Sequence, residues 1–162
     1  MKTEIMRLLT EIEQEHQVKI LYACESGSRA WGFESTDSDY DVRFIYVHKE
    51  DWYLSIDEKR DIIELPISEI LDISGWELRK ALNLFRKSNP QIYEWLQSPW
   101  IYLKEDAFYN AITALMPSHF YPKPGLNHYL SLTRNTLETD LQTEEVRIKK
   151  YFYALRSVLA AF

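Results

Sequence analysis

Two aspartates, Asp39 and Asp41, lie two positions apart at the start of a segment rich in β-branched and aromatic residues, 41–47. Side chains two apart on a strand point to the same face. Carboxylates held side by side repel each other unless a cation neutralises them or one takes up a proton. Because oxygen-only ligands suit hard divalent ions, this spacing predicts a site for Mg²⁺ or Mn²⁺.

A Gly-Ser pair, Gly27 and Ser28, precedes Asp39 by ten intervening residues and follows an apolar run. Glycine lets backbone N–H groups approach a phosphate closely, and the Ser28 hydroxyl can add a donor. Arg29 follows this turn, and its side chain has two alternative roles, a contact to phosphate or a salt bridge to a nearby carboxylate. Alone, the Gly27–Ser28 pair could be any tight turn, and Asp39 and Asp41 could be a solvated strand start. Their combination favours a phosphate site beside a metal site.

The hydrophobic pattern predicts the elements that position these residues. In chain order it indicates a helix over 3–16, strands over 18–24, 41–47, 61–67 and 70–73, a helix from a Ser74–Glu77 capping box to about residue 87, a helix opened by Asn89–Pro90, and helices over 105–115, 126–140 and 144–161. Prolines and glycine at 119–125 predict a linker. We therefore expect an α+β fold with a core over 1–104 and a helical region over 105–162.

Composition narrows the function classes. The chain has 162 residues, a net charge of -6 and one cysteine, Cys24, which we expect to be a buried strand thiol. A single cysteine excludes an intrachain disulfide framework or structural zinc site. The charged N-terminus is unlike a signal peptide and no apolar stretch is long enough for a bilayer, so we expect a cytoplasmic chain with no membrane partner. The acidic total predicts that any long nucleic acid meets only a local basic patch.

The Gly27–Ser28 turn followed by Asp39-Tyr40-Asp41-Val42 resembles the signature of the DNA polymerase β-like nucleotidyltransferase superfamily. The longer string GSRAWGF…DSDYDVRFIYV resembles one branch, the predicted nucleotidyltransferases related to YcgL, and so do segments 72–82, 87–99 and 149–156. The resemblance implies a polymerase β-like fold, in which helices flank a mixed sheet that carries the carboxylates.

The resemblance also implies an activity. Superfamily members transfer a nucleoside monophosphate from an NTP, such as ATP, to a hydroxyl and release pyrophosphate. The Gly-Ser turn would bind the β- and γ-phosphates, and Asp39 and Asp41 would hold two metal ions. For the third carboxylate, which helps to activate the attacking hydroxyl, we prefer Asp72, after the apolar pair at 70–71 and close to a helix start. Asp61 and Glu64 are the alternatives.

The last predicted helix has two faces. Apolar Ile148, Phe152, Leu155 and Leu159 form a stripe that we expect to pack on the rest of the protein. A neighbouring face carries Lys149, Tyr153 and Arg156. It is either a solvated basic face or a cover over the active site that pairs with the triphosphate.

The acceptor stays open among RNA ends, a protein hydroxyl and a small molecule such as an antibiotic. The alternative function is a catalytically silent nucleotide-binding or partner-binding module, such as one half of a toxin–antitoxin pair. Members of the branch tend to run longer, and the last helical pattern stops at Phe162 without a cap, so we expect a reduced or truncated C-terminal part.

Overall fold

A computed structural model describes residues 1–35, 38–67, 70–142 and 145–161. Asp37, expected in a polar turn, lies outside the described residues. In chain order the elements are α1 (Lys2–His16), β1 (Val18–Glu25), β2 (Tyr40–His48), α2 (Glu50–Leu54), β3 (Ile62–Glu64), β4 (Leu71–Glu77), α3 (Leu78–Arg86), α4 (Pro90–Leu96), β5 (Ile101–Lys104), α5 (Asp106–His119), α6 (Pro122–Thr139) and α7 (Ile148–Ala161).

The strands form one mixed sheet in the order β3-β4-β2-β1-β5. Strand β2 lies at its centre, antiparallel to β1 and parallel to β4, while β3 and β5 pair antiparallel with β4 and β1. Helices flank this sheet, which confirms the predicted α+β class. The parallel β2–β4 pair matters most for function, because it sets residues from two distant segments side by side.

Each face of the sheet has its own hydrophobic core. The first holds α1, through Ile5, Leu9 and Ile12, together with Phe44 of β2. The second holds Ile45 of β2 and side chains of α3, α4 and α5. Asp41 is an even number of positions from Ile45 along β2, so the alternation of the strand places it on the face of the second core.

A bulge in β1 changes which face its side chains reach. The register with β2 shifts between Ile20 and Tyr22. Ile20 packs in the first core and Tyr22 in the second, although two residues apart would ordinarily share a face. Cys24 is fully buried in the second core, which confirms the expected strand thiol. The bulge therefore sets the orientation of the strand that enters the Gly-Ser turn.

The predicted capping box at Ser74 and Glu77 is wrong. Ser74, Gly75 and Trp76 continue β4, and Glu77 is itself the N-cap of α3, accepting a hydrogen bond from the Arg79 N–H. Pairing with β2 supplies the competing stabilisation, since Gly75 lies against the Phe44 ring and Trp76 stacks on Trp95 at 3.9 Å. Tertiary packing thus overrides the local helix-start signal.

Other boundaries also differ. Helix α6 begins at Pro122 inside the predicted linker, because proline is well tolerated in the first turn of a helix. The short elements α2 and β5 were not predicted. The Asn89–Pro90 start of α4 is confirmed, with the Asn89 side chain accepting from the Gln91 N–H. Among the described residues, no helix combines the length and apolarity needed to cross a membrane.

Candidate active site

Two carboxylates meet on the parallel strand pair. Asp41 of β2 and Asp72 of β4 are register partners. Arg43 lies with both of them, its Nη2 at 3.4 Å from Asp41 Oδ1 and 2.7 Å from Asp72 Oδ2. The structure therefore brings Asp72 beside Asp41 and places a cationic side chain between them.

The alternatives for the third carboxylate lie elsewhere. Asp61 pairs with Lys80 at 3.0 Å, and Glu64 is on β3 paired with the exposed Arg60. Strand β3 is separated from β2 by β4. The sheet order thus favours Asp72 as the partner of Asp41.

Burial raises the pKa of the Asp41 carboxyl above its ordinary value. Arg43 opposes this shift, the neighbouring Asp39 and Asp72 carboxylates add to it, and Lys149 lowers it. Asp39 itself is exposed at the entrance to β2. The negative charge of Asp41 is therefore under-compensated by the protein alone, as expected of a carboxylate that binds a cation.

The Gly-Ser turn lies directly on Asp41. A Cβ at Gly27 would sit 1.6 Å from Asp41 Oδ2, so only glycine fits here. The Ser26 N–H also donates to the Asp41 carbonyl at 2.8 Å. The predicted phosphate-binding turn and the predicted metal-binding strand are consequently neighbours in space.

Within the turn, Ser28 is buried and its hydroxyl donates to Ser38 Oγ at 3.2 Å. Arg29 donates to the carbonyls of Ser38 and Asp39 at 2.6 and 3.1 Å, and its guanidinium lies 3.9 Å from the centre of the Tyr40 ring. Both residues therefore hold the chain just before Asp41.

Glu25 is a site residue that sequence reasoning missed. It is 1% exposed, accepts from the Asp41 N–H at 2.8 Å, and accepts from the Tyr102 hydroxyl. Burial raises the pKa of its carboxyl, while the bonds from Tyr102 and Asp41 oppose the shift. The available signal was a charged residue that ends a buried strand, with one residue between it and the Gly27–Ser28 pair.

A divalent cation fits the chemistry of these donors, although within the described ranges no group of three or more His, Cys, Asp or Glu side chains forms a ready-made metal site. Asp41 and Asp72 offer carboxylate oxygens at a place where a guanidinium already contacts both. Gly27 keeps side-chain atoms away from Asp41 Oδ2. Holding a metal would require Arg43 to shift toward one carboxylate.

Helix α7 reaches this site through its basic face. Lys149 Nζ lies 3.5 Å from Ser38 Oγ, and Tyr153 packs edge-on against Phe33. Burial raises the pKa of Tyr153, and the negative charges of Asp41 and Asp39 add to the shift. Arg156 lies elsewhere, paired with Glu94 and 3.4 Å from the centre of the Trp31 ring.

The apolar stripe of α7 does not pack as expected. Ile148 and Leu159 are 73% and 66% exposed, and Leu155 is also exposed. Of the four side chains, Phe152 does make a ring contact, since it stacks on Phe33. The expectation that this stripe packs on the rest of the protein is therefore wrong for Ile148, Leu155 and Leu159.

The sequence profile of the RNA repair pathway DNA polymerase beta family (RlaP) matches residues 1–162. The chain belongs to this family. Membership in the RNA repair pathway DNA polymerase beta family confirms the resemblance carried by the Gly-Ser turn and the Asp-x-Asp strand, and suggests nucleotidyl transfer as its kind of chemistry.

Individual relatives are informative to different degrees. The chain is 54% identical over 160 residues to the uncharacterized protein YcgL of Bacillus subtilis (strain 168), covering 99% of this chain and 62% of that protein. It spans less than two thirds of that relative. A crystal structure of a nucleotidyltransferase-like protein from Exiguobacterium sibiricum 255-15 matches with a TM-score of 0.42 and 11% identity, covering 96% of this chain and 53% of that one.

Proposed function

We propose that the protein is a metal-dependent nucleotidyltransferase that transfers a nucleoside monophosphate from an NTP to a hydroxyl and releases pyrophosphate. The observation that carries the proposal is the convergence of three segments. Asp41 and Asp72 are paired across β2 and β4, and Gly27 contacts the Asp41 carboxylate. A phosphate-binding turn in contact with paired carboxylates is the arrangement that phosphoryl-type transfer needs.

Asp39, Asp41 and Asp72 would hold Mg²⁺ or Mn²⁺. Bound metal would neutralise the triphosphate and acidify the attacking hydroxyl. The Glu25 carboxylate accepts a hydrogen bond from the Asp41 N–H and so fixes the position of the Asp41 backbone relative to the turn. Arg43 shields the carboxylates from each other and can stay on Asp72, to which its contact is shorter.

The phosphates would lie against the Gly27–Ser28 turn and under α7. Backbone N–H groups of the turn are the neutral donors. Lys149 supplies a cation beside Ser38, and Tyr153 adds a hydroxyl on the same face of α7. Arg29 acts by holding the backbone of Ser38 and Asp39. In this proposal the core over 1–104 carries the metals and the region over 105–162 supplies cations.

We propose an RNA end as the acceptor, because the description of the family places it in an RNA repair pathway. Transfer of a nucleotide to an RNA hydroxyl would extend the end by one residue. The acidic chain requires only a local contact for such an acceptor. ATP as a donor and a cytoplasmic location stay predictions.

The test measures transfer of label from each α-labelled NTP to RNA oligonucleotides with free hydroxyl ends, with Mg²⁺ or Mn²⁺. We expect a labelled product with the native protein and none with Asp41→Asn or Asp39→Asn. Asp61→Asn is the matched control, because Asp61 pairs with Lys80 outside the cluster and should transfer normally. Product formation by Asp41→Asn at the native rate would refute the metal role.

A thermal-shift measurement tests nucleotide binding separately. A ligand that binds only the native state raises the melting temperature by mass action. We expect NTP to stabilise the protein only with divalent metal present. Stabilisation without transfer to any RNA, protein or small-molecule acceptor would favour the silent binding module instead.

A further inference from the structure

A cavity of about 540 Å³ lies between α7 and the body of the protein. This volume is within the range of small-molecule sites, roughly 300–1,000 Å³. Its walls include the aromatic rings of Trp31, Phe33 and Phe152, and Leu155 lines its α7 side. The exposed part of the α7 stripe therefore borders a cavity wide enough for a planar ring.

The polar groups of this cavity form a connected set. Glu94 Oε1 accepts from both the Tyr129 hydroxyl and the Arg156 guanidinium. Within the described part of the chain, both of these bonds end on the same oxygen, which leaves Glu94 Oε2 able to accept from a ligand. Arg156 Nε is buried and has no hydrogen-bond partner among the described residues. Buried donors are almost always satisfied, and a ligand could satisfy this one only after the Arg156 side chain rotates, since Nε has no exposed surface.

We propose that this cavity binds a nucleobase. A base is a planar ring whose edge carries an N–H donor beside an acceptor, and Glu94 with Arg156 presents an acceptor beside a donor. An aromatic wall suits a base, since Trp31, Phe33 and Phe152 all line the cavity.

The location of the cavity ties it to the proposed transfer reaction. Ser26, which lines it, directly precedes the Gly27–Ser28 turn. A nucleotide with its phosphates on that turn has its base within reach of the cavity. The base can belong to the NTP or to the terminal residue of the RNA acceptor. In both cases the inference rests on the proposed function, because that function places the phosphates on the Gly27–Ser28 turn. The residues that would bind the base are different ones, which line the cavity.

The experiment fills the cavity from its rim. Leu155→Trp enlarges a side chain that is 54% exposed, so the fold should survive. Ile148→Trp is the matched control, on the same stripe of α7 and 73% exposed, but not among the residues lining the cavity. Binding of the four NTPs, inorganic tripolyphosphate and short RNA is measured by calorimetry with Mg²⁺, with RNA ending either in a normal or in an abasic residue.

We expect Leu155→Trp to weaken binding of NTP or of normal RNA by tenfold or more and to leave tripolyphosphate unchanged, with Ile148→Trp equal to the native protein. A loss confined to NTP assigns the base to the donor. If Leu155→Trp weakens only the binding of RNA, and the native protein binds abasic RNA equally weakly, the base in the cavity belongs to the acceptor. Glu94→Gln should change the ratio of affinities among bases, which simple loss of packing would not do.

Unchanged NTP and RNA affinity in Leu155→Trp overturns the nucleobase site, even if tripolyphosphate binding shows that the phosphate site exists. Conversely, NTP binding that is lost in Leu155→Trp, in a native protein that does not bind tripolyphosphate, would keep the inference and refute the proposed phosphate site. The two failures are therefore distinguishable.

Discussion

The central sheet and the α6–α7 hairpin hold their parts of the candidate site in different ways. The Asp41 backbone accepts a hydrogen bond from the Ser26 N–H, donates one to the Glu25 carboxylate, and is held by the pairing of β2 with β4. The hairpin meets the rest of the protein through side chains, among them Lys149 with Ser38. The carboxylates of Asp41 and Asp72 are thus positioned by the pairing of two strands. The Lys149 cation lies on a helix whose placement depends on a few side-chain contacts. We infer that the sheet carries the stability and the hairpin the response to ligand.

The largest expected difference between the two regions is in stability. Phe44 is fully buried in the sheet, so Phe44→Ala should lower the free energy of unfolding by about 3–5 kcal/mol. Ile148→Ala on α7 should change it by less than about 0.5 kcal/mol, since Ile148 is exposed. Denaturant unfolding measures both. Comparable losses would show that the hairpin is as well packed as the sheet.

Two glycines sharpen the comparison. Gly27→Ala would force Asp41 to move, and a displacement of that size should lower transfer by about a hundredfold. Gly125→Ala in α6 meets its nearest side-chain atom at 3.6 Å, an ordinary contact, and should leave transfer unchanged. Pyrophosphate release measures both variants. Full activity in Gly27→Ala would mean that Asp41 does not work from its observed position.

Neighbouring lysines on α7 test the hairpin alone. Lys149→Ala should weaken metal-dependent ATP binding by about tenfold or more, because a buried charged contact to phosphate contributes about 1.5–3 kcal/mol. Lys150→Ala is the control, since Lys150 pairs with Asp140 within the hairpin. Calorimetry with Mg²⁺ present compares them. Equal affinities in the two variants would make the basic face a solvated surface.

The smallest expected effect is a pH-dependent gain in stability. Because burial raises the pKa of Asp41, ionising this carboxyl costs the native state free energy; the cost builds up as the pH rises from the ordinary pKa of Asp to the raised pKa and is complete above it. Asp41→Asn removes this cost, so the metal-free variant should melt slightly higher than the native protein near neutral pH. The gain should shrink as the pH falls from the raised pKa towards the ordinary pKa of Asp, and vanish below it, where a proton neutralises Asp41 in both the native and the unfolded state. Melting curves with a chelator at neutral and acidic pH decide this; a gain that persists at acidic pH would contradict it.

Local patterns were sufficient for the strands beside the site. Runs of apolar and β-branched residues predicted β1 and β2 to within one residue at either end. The period of a strand also led to the prediction that Asp39 and Asp41 share a face, but β2 begins at Tyr40, so Asp39 lies before the strand and this stays a prediction. Those features depend only on neighbours in the sequence, which is why single-sequence reasoning can reach them.

Features that depend on distant pairing were out of reach. The position of Arg43 between two carboxylates exists only because β2 pairs with β4. The role of Glu25 needs Tyr102, 77 residues further on, on a strand of four residues that is too short to show a period. The exposure of the apolar stripe of α7 contradicts the prediction from its helical period, because a period shows which side chains share a face but not what that face packs against.

The parallel pairing of β2 with β4 also has a consequence for the order of folding. Asp41 and Asp72 come together only after the chain over 49–70 has closed its crossover, a more costly loop closure than a short hairpin. The carboxylate pair is therefore absent from early, locally structured states. Divalent metal and nucleotide should then slow unfolding strongly while leaving the refolding rate almost unchanged, because they stabilise contacts that form after the transition state.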